Sequence, residues 1–149
     1  MGTSRRGPSA EVNLRRVLRR RRDGGFLSLE LAIVAPMLIL LIFFAIQISL
    51  YYYARSVALS AAREGVSQLR VVPDKASYDA IDGQVLAYTE HYASNVGGQA
   101  FLQPHAKSAY HENAGTVTVT VTGHVVTLVP FDWTVTQQAS GSVEKFRAP

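Results

Sequence analysis

The chain has 149 residues, no cysteine, and a formal net charge of +4 that is unevenly distributed. Residues 1–25 carry eight arginines and a net charge of +6, whereas residues 26–149 carry a net charge of −2. The length predicts one modest domain. The lack of cysteine excludes disulfide scaffolds, cysteine-ligated zinc sites and thiol nucleophiles.

An uninterrupted apolar segment follows the basic N-terminus. No polar side chain occurs from Leu31 to Ile46, and no charged one between Glu30 and Arg55. A helix of those 24 uncharged residues would measure about 36 Å, which is enough to cross a hydrocarbon core of about 30 Å. A core helix of a soluble protein would keep a polar stripe, and this run has none. We therefore predict a transmembrane helix over residues 26–54.

Charge and aromatic residues predict the orientation of this helix. The arginines precede it and the tyrosines at positions 51–53 end it, as interfacial aromatic residues do. The positive-inside rule predicts a basic cytoplasmic leader over residues 1–25 and an extracytoplasmic domain over residues 55–149. We expect the leader to contact membrane lipid, and no nucleic acid. A secretory signal peptide cut after Ala58 stays an alternative, because Ser56-Val57-Ala58 has the small-x-small form of a cleavage site.

A short motif ahead of the span resembles the class III (type IV pilin-like) prepilin signal. It consists of Gly25, the aromatic Phe26, and Glu30 five residues after the glycine. In that family a membrane aspartic peptidase cuts on the cytoplasmic side, directly after the glycine. The resemblance implies a mature chain that begins at Phe26. Because glycine is a poor helix former, Gly24 and Gly25 predict an extended, accessible site before the helix.

Glu30 is an ionisable residue at the head of an apolar helix, where a charge is costly and often functional. If the chain is cleaved, the new amine of Phe26 on a neighbouring subunit could pair with it. The alternative is that Glu30 merely caps the helix, whose dipole favours an anion there. Pro36 lies within the span and predicts a kink, either for packing against other pilin helices or without a role.

Two further motifs resemble those of TadE-like pilus-assembly proteins. Glu30, Ala32 and Pro36 occupy the positions of an E-x-A-[LIV]-[LIV]-x-P start. Ala62, Arg63, Glu64 and Gly65 resemble the family's second signature. The resemblance implies a bitopic pseudopilin or minor pilin of a tight-adherence (Tad/Flp) secretion system. Its expected partners are a prepilin peptidase and other pilin-like or Tad secretion subunits.

Helical patterns continue after the span. A stripe of small residues suits close packing either on other helices or on the domain's own sheet; it comprises Ala54, Ala58, Ala61, Ala62 and Gly65. Pro73 ends this helix. Apolar residues at three- and four-residue steps from Tyr78 to Val96 predict a second helix, capped by Asp74 or Ser77 and ended by Gly97-Gly98. Its exposed face is predicted to carry the carboxylates Asp74, Asp79, Asp82 and Glu90.

The last part of the chain has the alternation of β-strands. Valine and threonine alternate strictly over residues 116–122. Neighbouring strands are expected over residues 106–111 and within residues 133–146, with the apolar pattern continuing over 125–129. The predicted fold class is α+β. A long N-terminal transmembrane helix continues into a small extracytoplasmic domain with a second helix and an antiparallel sheet of about three strands.

No catalytic pattern occurs in the sequence. His91, His105, His111 and His124 have no metal-binding spacing, and no nucleophile, phosphate-loop or dinucleotide motif is present. We therefore expect no catalytic residue, metal or cofactor, and a protein that is not an enzyme. The alternative function is an uncleaved, membrane-anchored extracytoplasmic binding domain.

Overall fold

The structure, a computed structural model, describes the backbone of residues 9–128 and 131–144 and the side chains of residues 29–128 and 131–144. It contains helices α1 (Ser9–Leu69) and α2 (Lys75–Gly97), a short 3-10 turn (Gly98–Ala100), and strands β1 (Phe101–His111), β2 (Thr116–Val125) and β3 (Trp133–Ser142). The first eight leader residues, the predicted end of the apolar pattern at 129 and the predicted strand end at 145–146 lie outside the described residues.

The chain divides into two compact units at the boundary between Phe44 and Ala45, and helix α1 contributes residues to both. In the N-terminal unit the large apolar side chains from Leu29 to Phe44 are all half or more exposed. A helix that is apolar on every side and uncovered by its own chain has the character of a membrane span. Within the described residues, one helix segment, Leu29–Leu69, is long and apolar enough to cross a membrane.

The C-terminal unit begins at Ala45, and its core is built on the second part of α1. The small residues of the predicted stripe are buried in this core. The narrow face that they form lets α2 and the sheet approach the α1 backbone closely. The alternative that this stripe packs on the domain's own sheet is therefore the one observed.

Helix α2 has the predicted termini. The Asp74 carboxylate caps it by accepting a hydrogen bond of 2.7 Å from the Ser77 amide, and this bond lowers the pKa of Asp74. Gly98 follows the last turn with a φ of 52°, a conformation that favours glycine.

The buried face of α2 differs from the predicted one. Tyr88 and Val96 are exposed, whereas Thr89 and Ala93 are buried. Thr89 tolerates burial because its hydroxyl donates to the Val85 carbonyl at 2.8 Å. Small side chains at 89 and 93 allow closer packing than the bulky residues of the apolar pattern.

The sheet is antiparallel, with strand order β1-β2-β3. Val117, Val119 and Val121 of β2 are fully buried, as the valine–threonine alternation predicts. Strand β1 starts at Phe101, five residues before the predicted start. An irregular register between Leu102 and His105 breaks the alternation there, which explains why the sequence pattern does not reveal the first half of the strand.

Two carboxylates of α2 face the sheet, so their predicted exposure is wrong. Asp82 accepts a hydrogen bond from the Ser108 hydroxyl, which in turn accepts one from the Tyr78 hydroxyl at 2.6 Å. Burial raises the pKa of Tyr78. Glu90 accepts a hydrogen bond of 2.8 Å from the Ala106 amide and therefore occupies a backbone donor of strand β1. Polar groups as well as apolar ones thus join α2 to β1.

The other two carboxylates lie at the start of α2 and are exposed, as predicted. Asp79 pairs with Lys75 at 2.8 Å, one helical turn away. Asp74 is the helix cap.

Candidate functional site

The predicted cleavage motif lies inside α1. The backbone at Gly24 and Gly25 is helical, so the prediction of an extended site is wrong. Each glycine costs a helix only about 1 kcal/mol relative to alanine, and helix on both sides offsets that cost. The side chain of Phe26 lies outside the described ones, so the structure leaves the cleavage itself a prediction.

Glu30 projects from an exposed, apolar part of α1. Its neighbours Leu29 and Leu31 are both more than 60% exposed. No side chain described in this structure forms a hydrogen bond or ion pair with its carboxylate. The carboxylate thus lies on the exposed surface of the helix.

Pro36 lies in the interior of α1, and the helix continues through it. Because proline has no amide hydrogen, the carbonyl of Ala32, four residues earlier, does not receive the hydrogen bond of a regular helix. Both residues belong to the predicted family motif. The kink itself stays a prediction.

The second signature contains a close contact between α1 and the rest of the C-terminal unit. Ala62 is fully buried. A Cβ atom at Gly65 would lie 2.8 Å from the Thr89 hydroxyl and 3.2 Å from a methyl group of Val119. Glycine is therefore required where α1 meets both α2 and the middle strand, which gives this residue of the motif a structural role.

The two charged residues of this signature have a different setting. Arg63 is exposed and forms no ion pair within the part of the chain that the structure describes. Glu64 is half-buried and accepts a hydrogen bond of 3.0 Å from Gln68, one turn along the same helix. Within the part of the chain that the structure describes, neither side chain forms a hydrogen bond or ion pair with the sheet.

Gln47 is a residue that the sequence analysis missed. It is 4% exposed, and its amide nitrogen donates to the Val126 carbonyl at 3.3 Å while its oxygen accepts from the Leu128 amide at 3.0 Å. A lone amide within an apolar run is a signal that could have found it, since such a group needs partners. Through these two hydrogen bonds Gln47 holds the segment after β2 against α1.

Two histidine–carboxylate pairs occur in the C-terminal unit. Nδ1 of His105 lies 2.9 Å from Glu90, and that of His124 lies 2.8 Å from Asp132. Both histidines have exposed side chains. Among the residues described, no group of three or more metal-ligating side chains occurs. Each pair consists of side chains that are at least a third exposed to solvent.

Replacing Gly65 with alanine should destabilise the C-terminal unit, because the added methyl group overlaps Thr89 and Val119. We expect Gly65→Ala to cost about 1–3 kcal/mol. Gly83→Ala in α2 is the matched control, since nothing lies within 4 Å of its Cβ position. That control should gain up to about 1 kcal/mol. Denaturant unfolding in detergent micelles measures both. Equal stability of the two variants would contradict the close packing at Gly65.

Comparison with known proteins supports the first part of this site. The family model described as TadE-like protein matches residues 25–67. No curated protein and no solved structure matches the chain. The matched segment starts at Gly25 and includes Glu30, Pro36 and the signature ending at Gly65. The resemblance found in the sequence is thus confirmed for residues 25–67, where the chain is similar to TadE-like proteins.

Proposed function

We propose that this chain is a single-pass membrane pseudopilin or minor pilin that acts in assembly of a Tad-type pilus or secretion apparatus. The observation that carries the proposal is the extent of the TadE-like match, residues 25–67. This segment contains the exposed apolar part of α1 and the small-residue face that carries the C-terminal unit. The family thus corresponds to the part of the chain that joins a membrane helix to a folded domain.

The proposed topology places residues 1–25 in the cytoplasm and the C-terminal unit on the other side of the membrane. The arginine-rich leader supports it through the positive-inside rule. The described surface of the C-terminal unit carries charges of both signs. It therefore gives no opposing signal for the orientation of the helix in the membrane.

The proposed processing step is hydrolysis of the Gly25–Phe26 peptide bond by a prepilin peptidase. Water adds across the bond, leaving a carboxylate on Gly25 and a free amine on Phe26. The match begins at Gly25, which supports a family-specific segment starting at this bond. The peptidase must first unwind the helix at this bond. The two adjacent glycines lower the free energy needed for unwinding by about 1 kcal/mol each. In this step the chain acts as the substrate, and we propose no catalytic activity for it.

Assembly would then use the surface of α1. Its apolar side chains from Leu29 to Phe44 are exposed and suit contact with lipid or with other pilin-like helices. Among them, Glu30 is the charged group that favours a specific register, because the Phe26 amine of a neighbouring subunit would neutralise it. A carboxylate left unpaired in hydrocarbon is costly, so pairing favours the assembled state.

One observation favours the second candidate, an uncleaved membrane-anchored binding domain: the helix runs through Gly25 without interruption. The signal-peptide alternative is disfavoured. A cut after Ala58 would fall within α1, where Val57 and Ala58 are buried in the core. Such a cut would remove part of the helix on which the sheet packs.

Gly25→Leu should abolish processing, because a bulky side chain would replace the glycine before the bond that is cut. The full-length precursor should then accumulate in cells that contain the cognate peptidase, as seen by gel mobility and intact mass. Gly24→Ala is the matched control and should be processed, since it leaves Gly25 in place. Normal shortening of the Gly25→Leu chain would refute the proposed site.

Glu30→Gln should leave membrane insertion intact but strongly reduce incorporation into the assembled apparatus, because the charge that pairs with a neighbouring amine is lost. Membrane fractionation measures insertion, and co-purification with the assembled structure measures incorporation. Glu112→Gln, in the exposed turn between β1 and β2, is the control and should behave as the unmodified chain does. Unimpaired incorporation of Glu30→Gln would remove the pairing role.

A further inference from the structure

The C-terminal unit has two dissimilar ends, and one of them is built around the first α1 turns of the unit. The Leu128 amide donates to the Gln47 side chain at 3.0 Å. The ring of Trp133 lies edge-on to that of Tyr51, with centroids 5.9 Å apart. Leu128 and Trp133 of the β2–β3 hairpin therefore lie beside the start of this α1 segment.

The end of α2 and the start of β1 lie at the same place. The Tyr53 hydroxyl donates to the Val96 carbonyl at 2.7 Å. Phe101 of β1 and Trp133 of β3 both pair with Val125 of β2. We call this region the apolar end. Its exposed large apolar side chains are Ile46, Ile48, Tyr52, Tyr53, Val96, Leu102, Leu128 and Phe131.

The opposite end of the unit is polar. The Glu144 amide donates to the Arg70 carbonyl at 2.9 Å, and their side chains form an ion pair of 2.7 Å. Apart from the apolar end, the exposed large apolar side chains described in this unit are Val71 and Tyr88. Surface apolarity is thus concentrated where the apolar run of α1 enters the unit. A patch of this kind on a protein surface marks an interaction site.

The length of the membrane helix indicates what covers this patch. Glu30 and Gln47 are 17 residues apart in α1. Helical rise makes that about 25 Å, less than the hydrocarbon thickness of about 30 Å. With Glu30 at one boundary of the hydrocarbon, the other boundary falls beyond Gln47, near Leu50. Gln47 is suited to this depth because both polar atoms of its amide are hydrogen-bonded within the chain.

We propose that the apolar end binds the lipid bilayer directly, resting in the interfacial region of the leaflet that the helix leaves. Leu128 and Phe131, 54% and 65% exposed, enter the boundary of the acyl chains, while Trp133 lies at headgroup level with Tyr51. Tyrosine and tryptophan favour that level because their rings are apolar and their polar atoms reach water. The inference rests on the proposed transmembrane span.

Polar groups set the depth of this contact. Asp132, whose side chain is 74% exposed, pairs with His124 at 2.8 Å and lies between Phe131 and Trp133 in the chain. A carboxylate avoids hydrocarbon, so the hairpin can reach the headgroups and the upper acyl chains but no deeper. The hydrogen bonds of Gln47 fix the hairpin to α1 and thereby hold it at this level.

The native chain offers a direct test, since Trp133 is its only tryptophan and it has no cysteine. The full chain is reconstituted in phosphatidylcholine vesicles at a low protein-to-lipid ratio. Lipids brominated near the headgroup should quench Trp133 fluorescence, and more strongly than lipids brominated at the chain ends. Fluorophore-labelled Leu40→Cys reports the span, and labelled Asn113→Cys reports the opposite end of the unit. The first label should show a lipid environment and the second a water environment.

Each outcome has a distinct meaning. Unquenched Trp133 with the Leu40→Cys label in lipid would overturn the contact while the span stands. The same label in water would refute the span and the contact together. Trp133 fluorescence that changes only as the protein-to-lipid ratio rises would show that a second copy, not lipid, covers the patch, which also overturns the proposal.

A variant pair separates lipid binding from folding. Replacing both Leu128 and Phe131 with serine should reduce the quenching of Trp133 by headgroup-brominated lipids, because the hairpin loses the side chains that enter the bilayer. Val71→Ser, an exposed apolar residue at the opposite end, should leave the quenching unchanged. Circular dichroism checks that both variants keep the native fold. Unchanged quenching in the folded double variant would contradict the role of the hairpin.

Discussion

Helix α1 contributes to two compact units, and its side chains have to suit a different environment in each of them. Over residues 29–44 its side chains are large, apolar and exposed; over residues 54–65 alanines and a glycine are buried against the sheet. The size of the side chains therefore differs between the exposed part of α1 and the part that packs on the sheet. Lipid accommodates large side chains of any shape, whereas the close approach of Thr89 and Val119 requires that position 65 carry no side chain.

Gln47 lies between these two parts of α1 and joins the helix to the segment after β2 through both atoms of its amide. The TadE-like segment, residues 25–67, thus includes the apolar part, this junction and the small-residue face. A pilin-like role makes use of all three. In the proposed role the apolar part would insert and pack with other helices, and Glu30 would favour a specific register. The small-residue face supports the folded C-terminal unit.

Sequence patterns predicted the architecture because it depends on strong local signals. The valine–threonine alternation of β2 placed its buried face correctly, and Asp74 and Gly98 marked the ends of α2. What the sequence did not reveal depends on tertiary contacts. Asp82 and Glu90 appeared solvated in a helical pattern, but the Ser108 hydroxyl and the Ala106 amide of the neighbouring strand need acceptors there.

The N-terminal site shows the same limit. Glycine propensity predicted an extended segment at residues 24–25, whereas the helix on either side keeps it helical. Gln47 falls within the predicted span. A local sequence pattern does not reveal its role, because its two hydrogen-bond partners lie about eighty residues later in the chain. The family motifs, in contrast, are short and local, and they lie within the TadE-like match over residues 25–67.

The proposed pilin-like role depends on a prepilin peptidase that releases the basic leader and leaves the subunit in the membrane. The N-terminal sequence of the protein purified from its native membrane shows whether this cleavage occurs. The mature chain should start at Phe26, with Glu30 as its fifth residue. A chain that starts at Met1 or Gly2 would contradict it and would identify the protein as an uncleaved membrane-anchored domain.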